Sequence, residues 1–180
     1  MLTNLKPAGS QTAANEDAVT LLLGCHDRIR HFTGMAERLA SNPKSPASER
    51  RQVASAVLRY YEIALPLHEA DENQSIYPRL REVLPDGELA EANETMVRQH
   101  AEIDTLIAEL IPLWHAIADD PAHQEHLSTG LRERVERLRQ LWTDNLRLEE
   151  EQVVPAIRRF LSAADLESIE AEMRARRRSG

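Results

Sequence analysis

Residues 57–72 read VLRYYEIALPLHEADE. At helical spacing, Val57, Tyr61 and Ala64 mark an apolar face, and His68 and Glu72, four residues apart, fall on that same face. A helix that turns an imidazole and a carboxylate toward its own core side needs a reason to do so. The helix itself starts at a cap on Ser48 and runs to about Val83, with Val53 and Tyr60 extending the apolar side. Pro66 lies within it. A proline there removes a backbone hydrogen bond, so a kink or local bulge is expected.

Working outward, three more long segments carry the same period. The first helix begins near Asn15 or Glu16 and continues to about Ala40, with Leu22, Ile29, Phe32, Ala36 and Leu39 as its stripe. Prolines 43 and 46 break the chain after it. A turn at 84–87 leads to a third helix ending near Ala118, with Met96, Ile103, Ile107, Leu110 and Trp114 on one face. Asp119-Asp120-Pro121 stops that helix. A fourth begins around Leu127 to Thr129 and shows Leu131, Val135, Leu138 and Trp142. Ser162 caps a short fifth helix over 163–177, which ends in Arg174, Arg176, Arg177 and Arg178 and reads as a solvated, dipole-favoured terminus. Long helices joined by short loops imply antiparallel neighbours. The expected fold is all-α: an up-down-up-down four-helix bundle with an additional short C-terminal helix. Residues 1–14 read as a flexible leader, 15–161 as the bundle, and 162–180 as the C-terminal helix and basic tail.

Composition agrees. The 180 residues are 42% hydrophobic and 29% charged, with only 6 glycines and 4% aromatics, which suits helices and argues against an all-β fold. One cysteine excludes a disulfide framework or a Cys-rich zinc module. The net charge of -8 argues against nucleic acid as a partner. Apolar runs are too interrupted for a bilayer span, and the N-terminus lacks a secretory pattern, so no membrane association and a cytoplasmic location are expected.

The histidines decide the chemistry. His26 falls between Leu22 and Ile29, His100 between Met96 and Ile103, and Glu149 in line with Leu138, Trp142 and Val153. Each of the four helices therefore sends at least one His or Glu toward the bundle axis. Burying an unpartnered carboxylate costs several kcal/mol or more. Five converging groups compensate one another if they share protons, pair with imidazolium or bind a cation, and a divalent metal is the simplest solution. The chain also repeats itself. His68, Glu72 and Pro78 are spaced by four and six residues, and so are Asn145, Glu149 and Pro155. Asn145 thus occupies the place of a histidine.

The segments Leu23-Gly24-Cys25-His26-Asp27-Arg28-Ile29, Leu67-His68-Glu69-Ala70-Asp71-Glu72, Arg98-Gln99-His100-Ala101-Glu102-Ile103 and Asn145-Leu146-Arg147-Leu148-Glu149 together resemble the motifs of hemerythrin-like (HHE cation-binding) domains, over roughly residues 16–178. The resemblance implies that His26 and His68 are terminal ligands of one iron, that His100 is a terminal ligand of another, and that Glu72 and Glu149 bridge the two. Asn145 departs from the family pattern, which has a fourth His there, so the second ion would be weakened, absent or helped by an oxygen. Asp104, one turn beyond His100, is the better candidate for that oxygen than Glu69. Asn145 itself reads either as a weakening substitution or as a weak oxygen ligand.

Around these, Tyr61 lies on the His68 face, two turns earlier, as a candidate hydrogen-bond donor to a ligand on the metal, against plain core packing. His31 reads as surface or as a residue backing the site, and His115, His123 and His126 as solvated, with a surface transition-metal site as the lesser alternative. Cys25 reads as packing, with a redox role beside His26 as the alternative, and Glu150 and Glu151 as solvating residues, or Glu150 as tuning the site. The leading functional expectation is a non-haem iron protein, with Mn or Zn as alternative ions, that binds or senses dioxygen, nitric oxide or peroxide, or handles iron. It leans toward binding or sensing rather than catalysis. The alternatives are a peroxide or nitric oxide reductase or iron-centre repair protein, and a degenerate, metal-free helical interaction module. The extra helix offers a surface for a homodimer.

Overall fold

The computed structural model describes residues 17–84, 87 and 89–179. The leader expected at 1–14 lies outside the described residues. Among those described, all regular structure is helical and no strand occurs. We number the helices α1 (Ala18–Ser41), α2 (47–83), α3 (Ala90–Asp119), α4 (123–160) and α5 (Ala163–Ser179). No helix is long and apolar enough to cross a membrane among the described residues.

The ends follow local chemistry. Asp17 caps α1 by accepting the Thr20 N–H at 2.7 Å. At α2 the cap is Pro46, not Ser48, which falls in the first turn. Pro46 has no N–H to leave orphaned, and its carbonyl accepts from Arg50 at 3.0 Å. Helix α4 starts at His123, earlier than its apolar stripe suggests. Gln124 explains this: it is fully buried and donates its amide to the Leu39 carbonyl near the end of α1. Ser162 and Asp165 form a reciprocal cap on α5, with the Ser162 N–H reaching Asp165 at 3.0 Å and the Asp165 N–H reaching the Ser162 hydroxyl at 3.2 Å.

Helices α2 and α4 are not regular throughout. π-helical turns occupy Tyr60–Ala64 and Asp71–Ile76 in α2 and Glu149–Val153 in α4. Each closes with an N–H reaching back five residues: Leu65 to Tyr60, Tyr77 to Glu72, Val154 to Glu149. Each closing residue directly precedes a proline, Pro66, Pro78 or Pro155. Proline offers no N–H to the carbonyl four residues back, and widening the turn by one residue lets the helix continue past that gap. The bulge expected at Pro66 is present, and the same device recurs at both members of the internal repeat.

Helix α1 packs against α2 and α4, and α3 against the same two; α5 lies against α1 and α2. The buried apolar residues form two clusters. One contains Ile29, Leu65, Ile103 and Leu146, the other Leu22, Ile76, Met96 and Val153. His26, His68, Glu72, Asn145 and Glu149 are buried where each helix passes from one cluster to the other. They form a polar layer between two greasy ones.

Candidate metal centre

One ligand atom each from His26, His68, Glu72 and Glu149 lies within 4.8 Å of all the others. His26 supplies Nε2, 3.1 Å from Glu149 Oε2. His68 Nε2 stands 3.5 Å from Glu72 Oε1, and the two imidazoles meet edge to face at 5.6 Å. His100 borders the cluster, with Nε2 3.7 Å from Glu149 Oε1 and about a fifth of its side chain still exposed. The π-turns matter here: Glu72 lies within one and Glu149 opens another, so both carboxylates leave the backbone where the helix is widened by one residue.

The orientation of His26 is fixed from behind. Its Nδ1 donates to Glu150 at 2.9 Å, and Arg30 donates to the same carboxylate oxygen at 2.8 Å. That holds the proton on Nδ1 and leaves the Nε2 lone pair facing the cluster. Glu150 therefore does more than solvate the helix.

Inside the cluster, hydrogen bonding fails. His26 Nε2, both ring nitrogens of His68, all four carboxylate oxygens of Glu72 and Glu149, and Asn145 Oδ1 are buried without a hydrogen-bond partner. The close His26–Glu149 and His68–Glu72 approaches do not have hydrogen-bond geometry. Leaving one such group unsatisfied costs about 1–3 kcal/mol, more for a charge. Apart from His68 Nδ1, which lies on the far edge of its ring, these orphan atoms are of mixed N and O type and fit a divalent cation, whose bonds replace missing hydrogen bonds.

Electrostatics in the absence of a cation show the same strain. Burial, then the negative charge of Glu149, pushes the Glu72 carboxyl well above its usual range. Burial acts against Glu149 too, but contacts from His100 and His26 outweigh it and hold that carboxylate ionised. Burial pushes His68 down to about 3, so it is neutral. For His26 and His100 burial is again the largest influence and lowers the pKa, yet Glu149 and the other nearby carboxylates overcome it, and both are raised. The layer thus pushes one carboxyl, Glu72, toward its protonated form and keeps the other, Glu149, ionised.

The remaining sequence candidates are placed as follows. Asn145 is fully buried and donates weakly to Gln99 Oε1 at 3.4 Å. Asp104 is exposed and feels the cluster only through its charge on His100 and Glu69. Tyr61 sits in the apolar cluster away from the carboxylates, its hydroxyl 2.8 Å from Thr33 and its ring stacked on Trp114. His31, His115, His123 and His126 are exposed, and His115 pairs with Glu62 at 2.9 Å.

Two features escaped the sequence reading. Tyr77 is buried, its hydroxyl donating to Met96 Sδ at 3.8 Å, and after burial itself the charges of Glu72 and Glu149 raise its pKa. The signal was its position, five residues after Glu72 and next to Pro78. The C-terminal arginines need a correction: Arg176 and Arg177 are not a solvated end. They clamp the fully buried Asp71 at 2.8 and 2.6 Å. An aspartate next to Glu72, buried inside a helix, was the available hint.

The family model for the hemerythrin HHE cation binding domain matches residues 17–165. No curated protein matches the chain. The matched span contains all four long helices and every member of the buried His/Glu cluster, and the chain belongs to the hemerythrin HHE cation-binding domain family.

Proposed function

We propose that this protein is a cytoplasmic non-haem iron protein whose metal is held by His26, His68, Glu72 and Glu149 within an up-down-up-down four-helix bundle. The orphaned buried polar atoms of His26, His68, Glu72 and Glu149 carry this reading. His100, beside the other oxygen of Glu149, and the unpartnered Asn145 amide oxygen would offer a second, weaker position. Mn and Zn suit the same donors, and availability decides among them.

Iron bound there would supply redox activity and a coordination position open to dioxygen, nitric oxide or peroxide. The protein residues do the rest. Glu150 and Arg30 hold His26 in one tautomer. Apolar clusters on both sides exclude water from the layer. Tyr77 gives the layer a hydroxyl that its surroundings keep protonated. We read the role as binding or sensing the small ligand rather than turning it over.

Reconstitution with Fe(II) under anaerobic conditions, followed by desalting and elemental analysis, tests this. At least one iron per chain should be retained, with loss of retention in His68→Ala and Glu72→Ala. Exposure of the loaded protein to peroxide or nitric oxide should change its visible spectrum. A folded protein that retains neither Fe(II), Mn(II) nor Zn(II) would overturn the reading.

A further inference from the structure

Behind His68, on the side away from the Glu72 carboxylate, a solvent-connected cleft of about 260 Å³ opens between α1, α2 and α5. His68 forms one wall, together with Cys25, Arg28, Tyr60 and Arg177. Two guanidinium groups meet there. Arg28 and Arg177 both donate to the Cys25 sulfur, at 3.1 and 3.2 Å.

The local charge is not balanced. Asp71 is shared by Arg176 and Arg177, and the Glu172 carboxylate that Arg176 also approaches, at 3.9 Å, is already paired with Arg79 at 2.7 Å. Arg28 has no carboxylate partner among the described residues, and a thiol is a weak acceptor for two charged donors. In a chain of net charge -8, this is a concentrated positive pocket. The wall adds a second requirement. His68 is 2% exposed, and its Nδ1 has no acceptor on the protein, whereas the equivalent nitrogen of His26 has Glu150. A metal-ligating histidine nearly always passes its other N–H to a carboxylate, carbonyl or water.

We propose that this cleft binds a small oxyanion, held by the Arg28 and Arg177 guanidiniums against the His68 wall. The shared chemistry is a planar or tetrahedral set of oxygens that accepts several N–H donors at once. Arg28 is the main selector, because its guanidinium meets only the Cys25 sulfur and no carboxylate among the described residues. Arg177 contributes while remaining anchored to Asp71 and to the Met173 carbonyl at 2.7 Å. The site goes beyond the metal reading and does not require it.

The test uses the full chain, first stripped of metal with a chelator, so that its outcome is separate from metal binding. Phosphate, sulfate, bicarbonate and nitrite are titrated by calorimetry at constant ionic strength, with chloride as the balancing ion. We expect saturable 1:1 binding of at least one of them, with a concentration-dependent rise in Tm. Arg28→Gln, at an exposed position, should keep the fold by circular dichroism and weaken binding by about tenfold or more, as loss of a charged hydrogen-bond donor does. Arg177→Lys, which keeps the charge but not the fork, should weaken it less. The occupied cleft should also slow alkylation of Cys25, the only thiol in the chain. Absence of saturable binding by all four anions, or binding unchanged in Arg28→Gln, would overturn the proposal.

Discussion

The Glu150 carboxylate lies 2.9 Å from His26 Nδ1 and also accepts from Arg30, so a surface residue on α4 sets the tautomer of a fully buried imidazole on α1. Removing such a partner typically costs 10–100-fold in metal affinity. Glu150→Gln should therefore lower iron affinity by about that factor while leaving the fold intact. Arg30→Ala should cost less, because Glu150 keeps its contact with His26. Competition against a chelator of known affinity measures both. Equal affinity in wild type and Glu150→Gln would show that the tautomer is held by something else.

The π-turn after Glu72 makes a different prediction. Its closing bond runs from the Tyr77 N–H to the Glu72 carbonyl, and its exposed residues are Asn73 and Gln74. Deleting Asn73 should return the turn to α-helical register, since a π-turn is equivalent to one inserted residue. The Tyr77 N–H to Glu72 carbonyl bond then spans four residues, so the helix on either side keeps its orientation and only the turn that carries Glu72 narrows. The narrowing shifts the Glu72 carboxylate from its place opposite Glu149. We expect a folded, helical protein that retains less iron. Full iron retention in that deletion would show that the turn does not aim the carboxylate.

Asn145 tests the second position. Its amide oxygen is orphaned, its neighbour Glu149 already contacts both His26 and His100, and an imidazole is the stronger donor to Fe(II). Asn145→His should raise the iron retained per chain toward two, measured by elemental analysis after gel filtration. Unchanged stoichiometry would mean that the partly exposed His100 is too solvated to complete a second site.

Much of this was legible because helical periodicity and burial are the same fact seen twice. His26, His68, Glu72 and Glu149 could be placed on apolar stripes without coordinates, and the spacing from His68 to Pro78, repeated from Asn145 to Pro155, marked the equivalent helices. The helix start at His123 was hidden because its first turn is polar and is anchored by one glutamine to the Leu39 carbonyl, a contact between residues far apart in sequence. The Arg176–Asp71–Arg177 clamp was hidden for the same reason. Arginines at a helix end look solvated until the fold shows which buried charge they meet. Tyr61 and Tyr77 show the limit on faces: both have helical spacing from the ligands, but the π-turns shift the register between them, and of the two only Tyr77 feels the charge of the carboxylates.

The clamp itself is testable. Asp71 is fully buried and keeps the α5 arginines against the turn that carries Glu72. Removing one partner of a buried charge pair leaves the other uncompensated and costs about 3–5 kcal/mol. Asp71→Ala should destabilise by an amount of that order in denaturant titration, and Arg176→Ala by less, since Arg177 remains. Iron affinity should fall in parallel, because α5 no longer backs the Asp71–Ile76 turn. A stability loss under about 0.5 kcal/mol, the range of ordinary surface changes, would rule the clamp out as a structural element.

Proton linkage gives the last prediction. In the metal-free fold Glu72 titrates well above 4.5, so it still carries its proton when an ordinary glutamate has lost it. Its contribution to stability is present at low pH and is lost as pH rises through that raised value. His68 has the opposite sign: its pKa falls from 6.5 to about 3, so the unfolded chain takes up a proton first, and stability is lost as pH falls across that window. Metal needs Glu72 ionised and His68 neutral. His68 is already neutral near pH 7, so the proton that metal displaces comes chiefly from Glu72, with a share from His26, whose pKa is raised. Metal affinity should therefore increase with pH, by about tenfold per unit for each proton displaced. Calorimetry in two buffers of different ionisation enthalpy should register net proton release, reduced in Glu72→Gln. Affinity that is flat between pH 6 and pH 8, with no proton release, would mean that the carboxylate pair is already fully ionised before the metal arrives.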